Sequence, residues 1–536
     1  MFSIISIFWF FREAKYILFW LYLWQLKEYH IGRFLDHFKT DKGKKLILNP
    51  ILFAKVILAV LFLANNYLFS FSFLLLFLVY LLESAVFLKS ILAKQIKKPI
   101  KTNKTLFLIS VSFAVSIIFL WNISQSANEA FVLFSLLIFD IFTPLIVSAV
   151  VFIFQPFFVF ARNNILMKAS QKVNSLKNLT VVGITGSYGK TSTKEFLTTI
   201  LSKKFKVVST REHQNSEIGI AKCILNDLNS EHQIFIAEMG AYKKGGIKML
   251  CDMIKPKIGI VTGVNEQHLA LFGSLENLLS AEGGRELAQA IPKNGLLVLN
   301  GENKYCLDLY KKASNANKKI YTMYKGVIDS DIWTEDITVE KDSISFVAVN
   351  KNKEVGHFKI NVLGKHNVQN LLAAILVARE LGMSIEEISE ACKNIKQEQA
   401  GMVLKQGKLG IDIIDSSYSS NPDGVFADLD YLSIFPNKKA IIMPCLIELG
   451  PKSSEIHQRI GKKIAEICDL AIITSKDKFD DLKKGAMESG MKQKNILLCD
   501  NPEEIATIIF LFCKFSDAVL LEGRIPVKVI KLLING

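Results

Sequence analysis

The stretch Thr180-Val181-Val182-Gly183-Ile184-Thr185-Gly186-Ser187-Tyr188-Gly189-Lys190-Thr191-Ser192 holds the residue types needed to grip a nucleoside triphosphate. A β-branched run predicts a strand ending at Gly183, then a glycine-containing turn, then a helix opening at Lys190. Gly186 and Gly189 let backbone N–H groups, Ser187 among them, close around phosphate oxygens, and the helix N-terminus adds partial positive charge. Lys190 is placed to reach the β- and γ-phosphates, with the hydroxyls of Thr191 and Ser192 following and Thr191 suited to Mg²⁺. Five residues separate Gly183 from Gly189, against four in the common phosphate loop, so the strand context and the Gly-Lys-Thr-Ser run carry the reading. A second predicted strand, Gln233–Ala237, delivers Glu238 to the end where ligands of parallel sheets bind, which suits a second Mg²⁺ ligand. A third, Ile258–Thr262, leads towards His268, a residue type that on its own is more often structural than ligating.

These groups need a rigid scaffold, and the chain is long enough for several domains: 536 residues, with half of them hydrophobic and a mean hydropathy of +0.29. The apolar excess lies before about Phe160, and from Leu179 short β-branched runs alternate with helical stretches, as in a parallel sheet with crossover helices. Apolar runs near 3–25, 48–66, 67–91, 105–124 and 130–160 reach the length of about 20 residues that spans a bilayer. The first is interrupted by Arg12, Glu13 and Lys15, and a mid-bilayer charge costs about 2.5–3.5 kcal/mol. Lys55, Glu83 and Asp140 are the ionisable residues inside the other runs and look scattered, which disfavours transport and favours anchoring or presentation of a lipid substrate.

The net charge of +15 raises a nucleic-acid reading that the location of the charge argues against. Much of the excess sits in loops between apolar runs, Lys39, Lys42, Lys44 and Lys45 in one and Lys94, Lys97, Lys98, Lys101 and Lys104 in another, the pattern of cytoplasmic membrane flanks. The linkers Asn65-Asn66-Tyr67 and Asn122–Glu129 carry no Lys or Arg and should face outside. This alternation places everything after Arg162 in the cytoplasm, where ATP is, with the lipid bilayer as a partner. The eight cysteines, from Cys223 to Cys513, include no Cys-x-x-Cys pair and read as reduced, buried thiols.

Taken together the motifs resemble the Mur ligase family, ATP-dependent enzymes that extend the peptide of peptidoglycan precursors. The resemblance runs from about Leu179 to the C-terminus. It rests on Gly183–Ser192, Glu238-Met239-Gly240, His268-Leu269 with Phe272-Gly273-Ser274, Leu363-Gly364-Lys365-His366-Asn367-Val368-Gln369-Asn370, Asp415–Pro422, and Glu448-Leu449-Gly450 with His457. The Ser-Tyr-x-x-Asn-Pro and Glu-Leu-Gly pieces are most similar to the D-alanyl-D-alanine-adding type. The resemblance implies that Lys190 and Thr191 serve the phosphates and Mg²⁺, that Glu238 and His268 are metal ligands, and that Asn367, Asn370 and Asp415 belong to the nucleotide site. It implies formation of an acyl phosphate that an amine then attacks, with ATP and Mg²⁺ as cofactors.

Several departures stand out. A membrane segment occupies the place of the usual UDP-sugar-binding domain. Gly401-Met402 lacks an expected arginine, Ser416 replaces an acid, and Pro444-Cys445 replaces Gly-Asp. Glu282 aligns with the lysine that this family carbamylates and is expected to bind the second Mg²⁺ together with His268 without CO₂, Glu286 being the fallback.

The expected architecture is therefore a transmembrane helical domain (1–160), a linker (161–175), a P-loop α/β domain (176–398) and a C-terminal Rossmann-like α/β domain (399–536). The expected function is a membrane-anchored ligase that joins a peptidoglycan-precursor carboxylate to an amino acid or dipeptide. The alternatives are a related ligase acting on a lipid-linked precursor or a polyglutamate-type chain, and an ATP-binding membrane scaffold without catalysis.

Overall fold

The computed structural model describes residues 2–534, apart from 28, 39–40, 65–68, 94, 212–213, 266–267, 314–316, 327, 418–420 and 448. The linker Asn65-Asn66-Tyr67 and the positions of Lys39, Lys94, Tyr418 and Glu448 therefore lie outside the described residues. The chain divides into two compact units, Met1–Asn163 and Asn164–Gly536.

The first unit is helical. Among the described residues four stretches are long and apolar enough to cross a membrane: Gly43–Phe62, Phe71–Leu92, Asn103–Ser124 and Glu129–Ser175, the last continuing past the end of this unit. The fifth expected span forms the helix Phe2–Leu26 but is not among them, because Arg12, Glu13 and Lys15 break its apolar run. The ionisable residues that look scattered in the sequence are in fact gathered. Lys55 Nζ lies 2.5 Å from Glu83 Oε2 and 2.7 Å from Asp140 Oδ2. Arg12 pairs with Asp140 and reaches Glu83 Oε2 at 3.6 Å, while Glu13 accepts from Arg12 at 2.7 Å and from Thr143 at 2.9 Å. All five charged groups are buried. A buried charge left alone is far costlier than a pair, so these contacts tie four helices together.

The second unit contains two sheets. In the first, β1 (Thr180–Thr185), β2 (Val207–Ser209), β3 (Ile234–Glu238), β4 (Ile258–Val261), β5 (Leu296–Asn300), β6 (Asn317–Tyr324), β7 (Ile332–Val339), β8 (Ile344–Asn350) and β9 (Val355–Ile360) lie in the order β2-β3-β1-β4-β5-β6-β7-β8-β9. The parallel part agrees with the expectation. The antiparallel edge β7-β8-β9 does not follow from it, and it forms because short turns allow hairpins where a parallel pair would need a crossover. β1 runs two residues past its expected end at Gly183, since pairing on both sides holds Ile184 to Glu238 and Thr185 to Val261. Successive strand residues face opposite layers. Val182 and Ile184 pack with Phe196, Leu197 and Ile375, whereas Val181, Phe235 and Val261 pack with Ile220, Leu250 and Leu287. Burial on both faces explains the near-continuous apolar runs.

The second sheet comprises β10 (Val403–Gln406), β11 (Asp412–Ser416), β12 (Lys439–Met443), β13 (Leu470–Ile473), β14 (Ile496–Leu498) and β15 (Ala518–Glu522), ordered β10-β11-β15-β12-β13-β14. Among the described residues of this sheet the β10–β11 strand pair is antiparallel and the other strand pairs are parallel. The eight cysteines are free and buried.

Glu286 has a structural position. Its carboxylate accepts the backbone N–H of Gly245 at 2.7 Å and of Lys248 at 2.8 Å, and the Ser280 hydroxyl at 3.0 Å. It therefore caps the helix Gly246–Ile254, whose own N-cap is a glycine without a side chain. Glu286→Ala should lower the stability of this unit by about 1–2 kcal/mol, read as a shift in the denaturation midpoint, with an unchanged Mg²⁺ requirement.

Candidate active site

The site is built on the C-terminal ends of β1, β3 and β4. β1 lies between β3 and β4, and the chain leaves it for one side and later returns on the other, the topology at which open α/β sheets bind ligands. The loop from Gly186 to Gly189 connects β1 to the helix Lys190–Leu201. Gly186 (φ 141°) and Gly189 (φ 71°) adopt backbone conformations that favour glycine, and a Cβ on the latter would strike the Asn370 side chain. The loop is braced by Ser187 N–H donating to Gly263 O at 2.8 Å and by the Thr262 hydroxyl donating to Tyr188 O.

Within this frame the sequence-predicted residues form three groups. Thr191 Oγ1 donates to Glu238 Oε2 at 3.0 Å, and Asn215 Nδ2 donates to Glu238 Oε1 at 3.1 Å. His268 Nδ1 lies 3.0 Å from both oxygens of Glu282, and Ser187 Oγ donates to Glu282 Oε2 at 3.1 Å. Asn370 donates to Asn367 Oδ1 at 3.1 Å and faces Thr193 and Gly189, while Asn367 donates to Leu363 O at 2.8 Å. These two asparagines thus seat the helix Asn367–Glu380 against the phosphate loop. Lys190 Nζ donates to Gly186 O at 2.5 Å, its ammonium over the loop, and Ser192 Oγ donates to Ala400 O at 3.3 Å. Glu266 and Gln267, beside His268, lie outside the described residues.

Asp415 stands apart, on β11 of the second sheet. Burial alone would raise its carboxyl, but hydrogen bonds from Lys405 at 2.7 Å and from Ser417 outweigh this and hold it below the usual carboxylate range. The two sheets are nevertheless linked beside the site: Asn265 Nδ2 donates to Asp423 Oδ2 at 2.8 Å and to Asn421 Oδ1 at 3.3 Å.

Sequence reasoning passes over Lys194, which is fully buried with its Nζ 3.5 Å from Glu238 Oε2 and 3.0 Å from Glu195 Oε1. Its position four residues after Lys190, on the first turns of the same helix, is the signal that could have found it. The departures also find local reasons. Met402 packs in the apolar core with Leu363, where an arginine would be desolvated. Ser416 Oγ donates to Asp428 Oδ2 at 2.5 Å next to the buried Glu522, whose carboxyl burial and Asp428 push well above the usual range. An acid at 416 would add a third carboxylate to that enclosed spot. His457, buried, accepts Leu446 N–H at 3.0 Å and contacts Ser453 O at 2.6 Å, so it joins a loop to a helix.

Among the described residues no three His, Cys, Asp or Glu side chains converge as a ready metal cage. Mg²⁺ in phosphate-handling sites takes one or two carboxylates plus substrate oxygens and water, and the Thr191–Glu238 oxygen pair fits that donor set.

Comparison with known proteins extends the geometry. The Mur ligase middle domain matches residues 184–378, and the Mur ligase glutamate ligase domain matches residues 402–525. A UDP-N-acetylmuramoyl-tripeptide–D-alanyl-D-alanine ligase of Synechocystis is 27% identical over 331 residues, covering 61% of this chain and 68% of that protein. Its namesake from Borreliella burgdorferi is 33% identical over 284 residues, covering 52% and 58% respectively. Among solved structures, MurF from Acinetobacter baumannii superposes with a TM-score of 0.62 at 22% identity, covering 69% of this chain and 79% of that one. MurF ligase from Thermotoga maritima in complex with ADP gives 0.61 at 25% identity, covering 69% and 83%.

Proposed function

Because the chain belongs to the Mur ligase family, we propose that it is a membrane-anchored, ATP-dependent ligase that forms an amide bond in peptidoglycan precursor synthesis, adding D-alanyl-D-alanine or a similar amine. The observation that carries this reading is the phosphate loop with Lys190 above it and the Thr191–Glu238 pair at the ends of adjacent strands. In this reading Gly186, Ser187, Gly189 and Ser192 line the phosphates, and Lys190 neutralises charge as the γ-phosphoryl moves to the substrate carboxylate. The bond formed is the carboxylate O–P bond and the bond broken joins the γ-phosphorus to the oxygen bridging it to the β-phosphate. ADP leaves, and the amine then displaces phosphate from the acyl phosphate. Thr191 and Glu238 would hold Mg²⁺, which supplies further charge neutralisation. Glu282 supplies a permanent carboxylate on His268 Nδ1, an arrangement that orients metal-binding histidines, in place of a carbamylated lysine. The nucleotide lies between the domains 176–398 and 399–536, with Asp415, Asn367 and Asn370 near it, and the domains hinge during turnover. The ADP in the Thermotoga neighbour supports nucleotide binding.

Full-length protein supplied with candidate carboxylate donors and amines should release ADP only when both are present, and the product mass identifies the pair. A lipid-linked donor is the second reading, favoured by the four apolar helices in the N-terminal unit. ADP release with a lipid-linked but not a UDP-linked donor selects it.

The membrane reading places 162–536 in the cytoplasm. A cysteine introduced at Ser126 should react with an impermeant thiol reagent in intact cells, and one at Lys98 should not. The native thiols are all buried, which keeps the background low. The reverse labelling pattern would invert the topology.

A further inference from the structure

The N-terminal unit contains a cavity of about 310 Å³ that the ligase reaction does not use. One face of the helix Phe2–Leu26 lines it with Lys15, Tyr16, Phe19 and Trp20, positions that share a side of a helix at spacings of one, four and five. The opposite walls come from Leu46 and Asn49, from Phe87 and Ser90 at the end of the stretch Phe71–Leu92, and from the segment Gln95–Lys97. The cavity thus sits where apolar helices meet the basic loop, the level of lipid headgroups in the membrane reading.

Its chemistry is that of an anion site with an apolar flank. Lys15 and Lys97 both line it, and neither forms a salt bridge among the described residues. The nearby acid, Glu83, is already paired with Lys55 at 2.5 Å and Arg12 at 3.6 Å. Trp20 is 6% exposed, and its indole N–H is buried without a hydrogen-bond partner among the described residues, a donor whose unmet bond costs free energy. Asn49, Ser90 and Gln95 add further polar groups. Phe19, Leu46 and Phe87 give it the apolar flank.

We propose that this cavity binds the phosphate-bearing headgroup of an anionic membrane lipid, with Lys15 and Lys97 as charge partners and the start of the lipid chains against Phe19, Leu46 and Phe87. Basic pockets between membrane helices recognise headgroups by this combination of charge and shape. The proposal rests on the membrane reading above. A lipid bound here would hold the enzyme in an anionic leaflet, or present a lipid-linked substrate.

The test uses full-length protein in detergent micelles, titrated with short-chain phosphatidylglycerol, with phosphatidylcholine of the same chains, or with inorganic phosphate. Binding is read by native mass spectrometry and by the lipid-induced change in tryptophan emission, which Trp20→Phe should remove while the other four tryptophans still emit. Phosphatidylglycerol should bind about tenfold or more tightly than phosphatidylcholine, and Lys15→Gln with Lys97→Gln should erase that difference. Equal binding of the two lipids, or an unaffected double variant, overturns the proposal. Displacement of phosphatidylglycerol by millimolar inorganic phosphate would make it a site for free phosphate and overturn the lipid assignment. Resistance of the protein to carbonate extraction from membranes is measured in parallel. Extraction of the protein would defeat the membrane reading itself, whereas retention with no lipid selectivity would defeat the cavity's role alone.

Discussion

Lys190→Ala should lower amine-dependent ADP release by more than about 10²-fold while the protein keeps its fold. The size follows from where the ammonium sits. It donates to Gly186 O, on the loop that would surround the phosphates, so the charge is held over the place where phosphoryl transfer builds up negative charge. Removing it takes several kcal/mol from a step that is almost entirely electrostatic. The fold should persist because Lys190 is only half-buried and is the first residue of its helix. Lys194 provides the contrast. It is fully buried beside Glu195 and Glu238, so Lys194→Ala should reduce stability as well as turnover. The measurement is single-turnover ADP release together with the thermal midpoint of each variant. Near-normal ADP release by a folded Lys190→Ala protein would mean that this loop does not handle the transferred phosphate.

Glu282→Gln should raise the Mg²⁺ concentration needed for half-maximal activity by about tenfold or more. The carboxylate is 2% exposed, 3.0 Å from His268 Nδ1 and 3.1 Å from Ser187 Oγ, so it touches both the phosphate loop and the candidate metal-binding histidine. Glutamine preserves the shape and one acceptor but removes the charge and turns an N–H group towards one of those partners. Because glutamate carries its carboxylate permanently, stripping bicarbonate and CO₂ from the buffer should leave activity unchanged, unlike an enzyme that depends on a carbamylated lysine. Glu286→Gln is the control. Its carboxylate is committed to the helix Gly246–Ile254, so it should alter stability and leave the Mg²⁺ requirement alone. An unchanged Mg²⁺ dependence in Glu282→Gln would remove the proposed role.

Much of this site is legible in the amino-acid sequence alone. The glycine-containing turn after a β-branched run, Lys190-Thr191-Ser192, and an acid at the end of a second apolar run are local patterns, set by backbone sterics and by strand and helix periodicity. The apolar helices of the N-terminal unit are legible for the same reason, since a run of some 20 apolar residues is a one-dimensional property. What the sequence does not assign are the partners chosen by tertiary contact. Glu282 and Glu286 are four residues apart and chemically identical, yet one faces His268 and the other caps a helix, because the turn at Gly283 and Gly284 sends them to different neighbours. Lys55, Glu83 and Asp140 look isolated along the chain and are one buried network with Arg12 and Glu13, since only helix packing brings charges so far apart in sequence within a few ångströms. The β7-β8-β9 edge, the second role of Asn370 as a wall behind Gly189, and the bridge from Asn265 to Asp423 belong to the same class. Local patterns determine which groups are present and which elements carry them. Long-range packing, where an unpaired polar group costs more than most single contacts return, decides which of those groups meet.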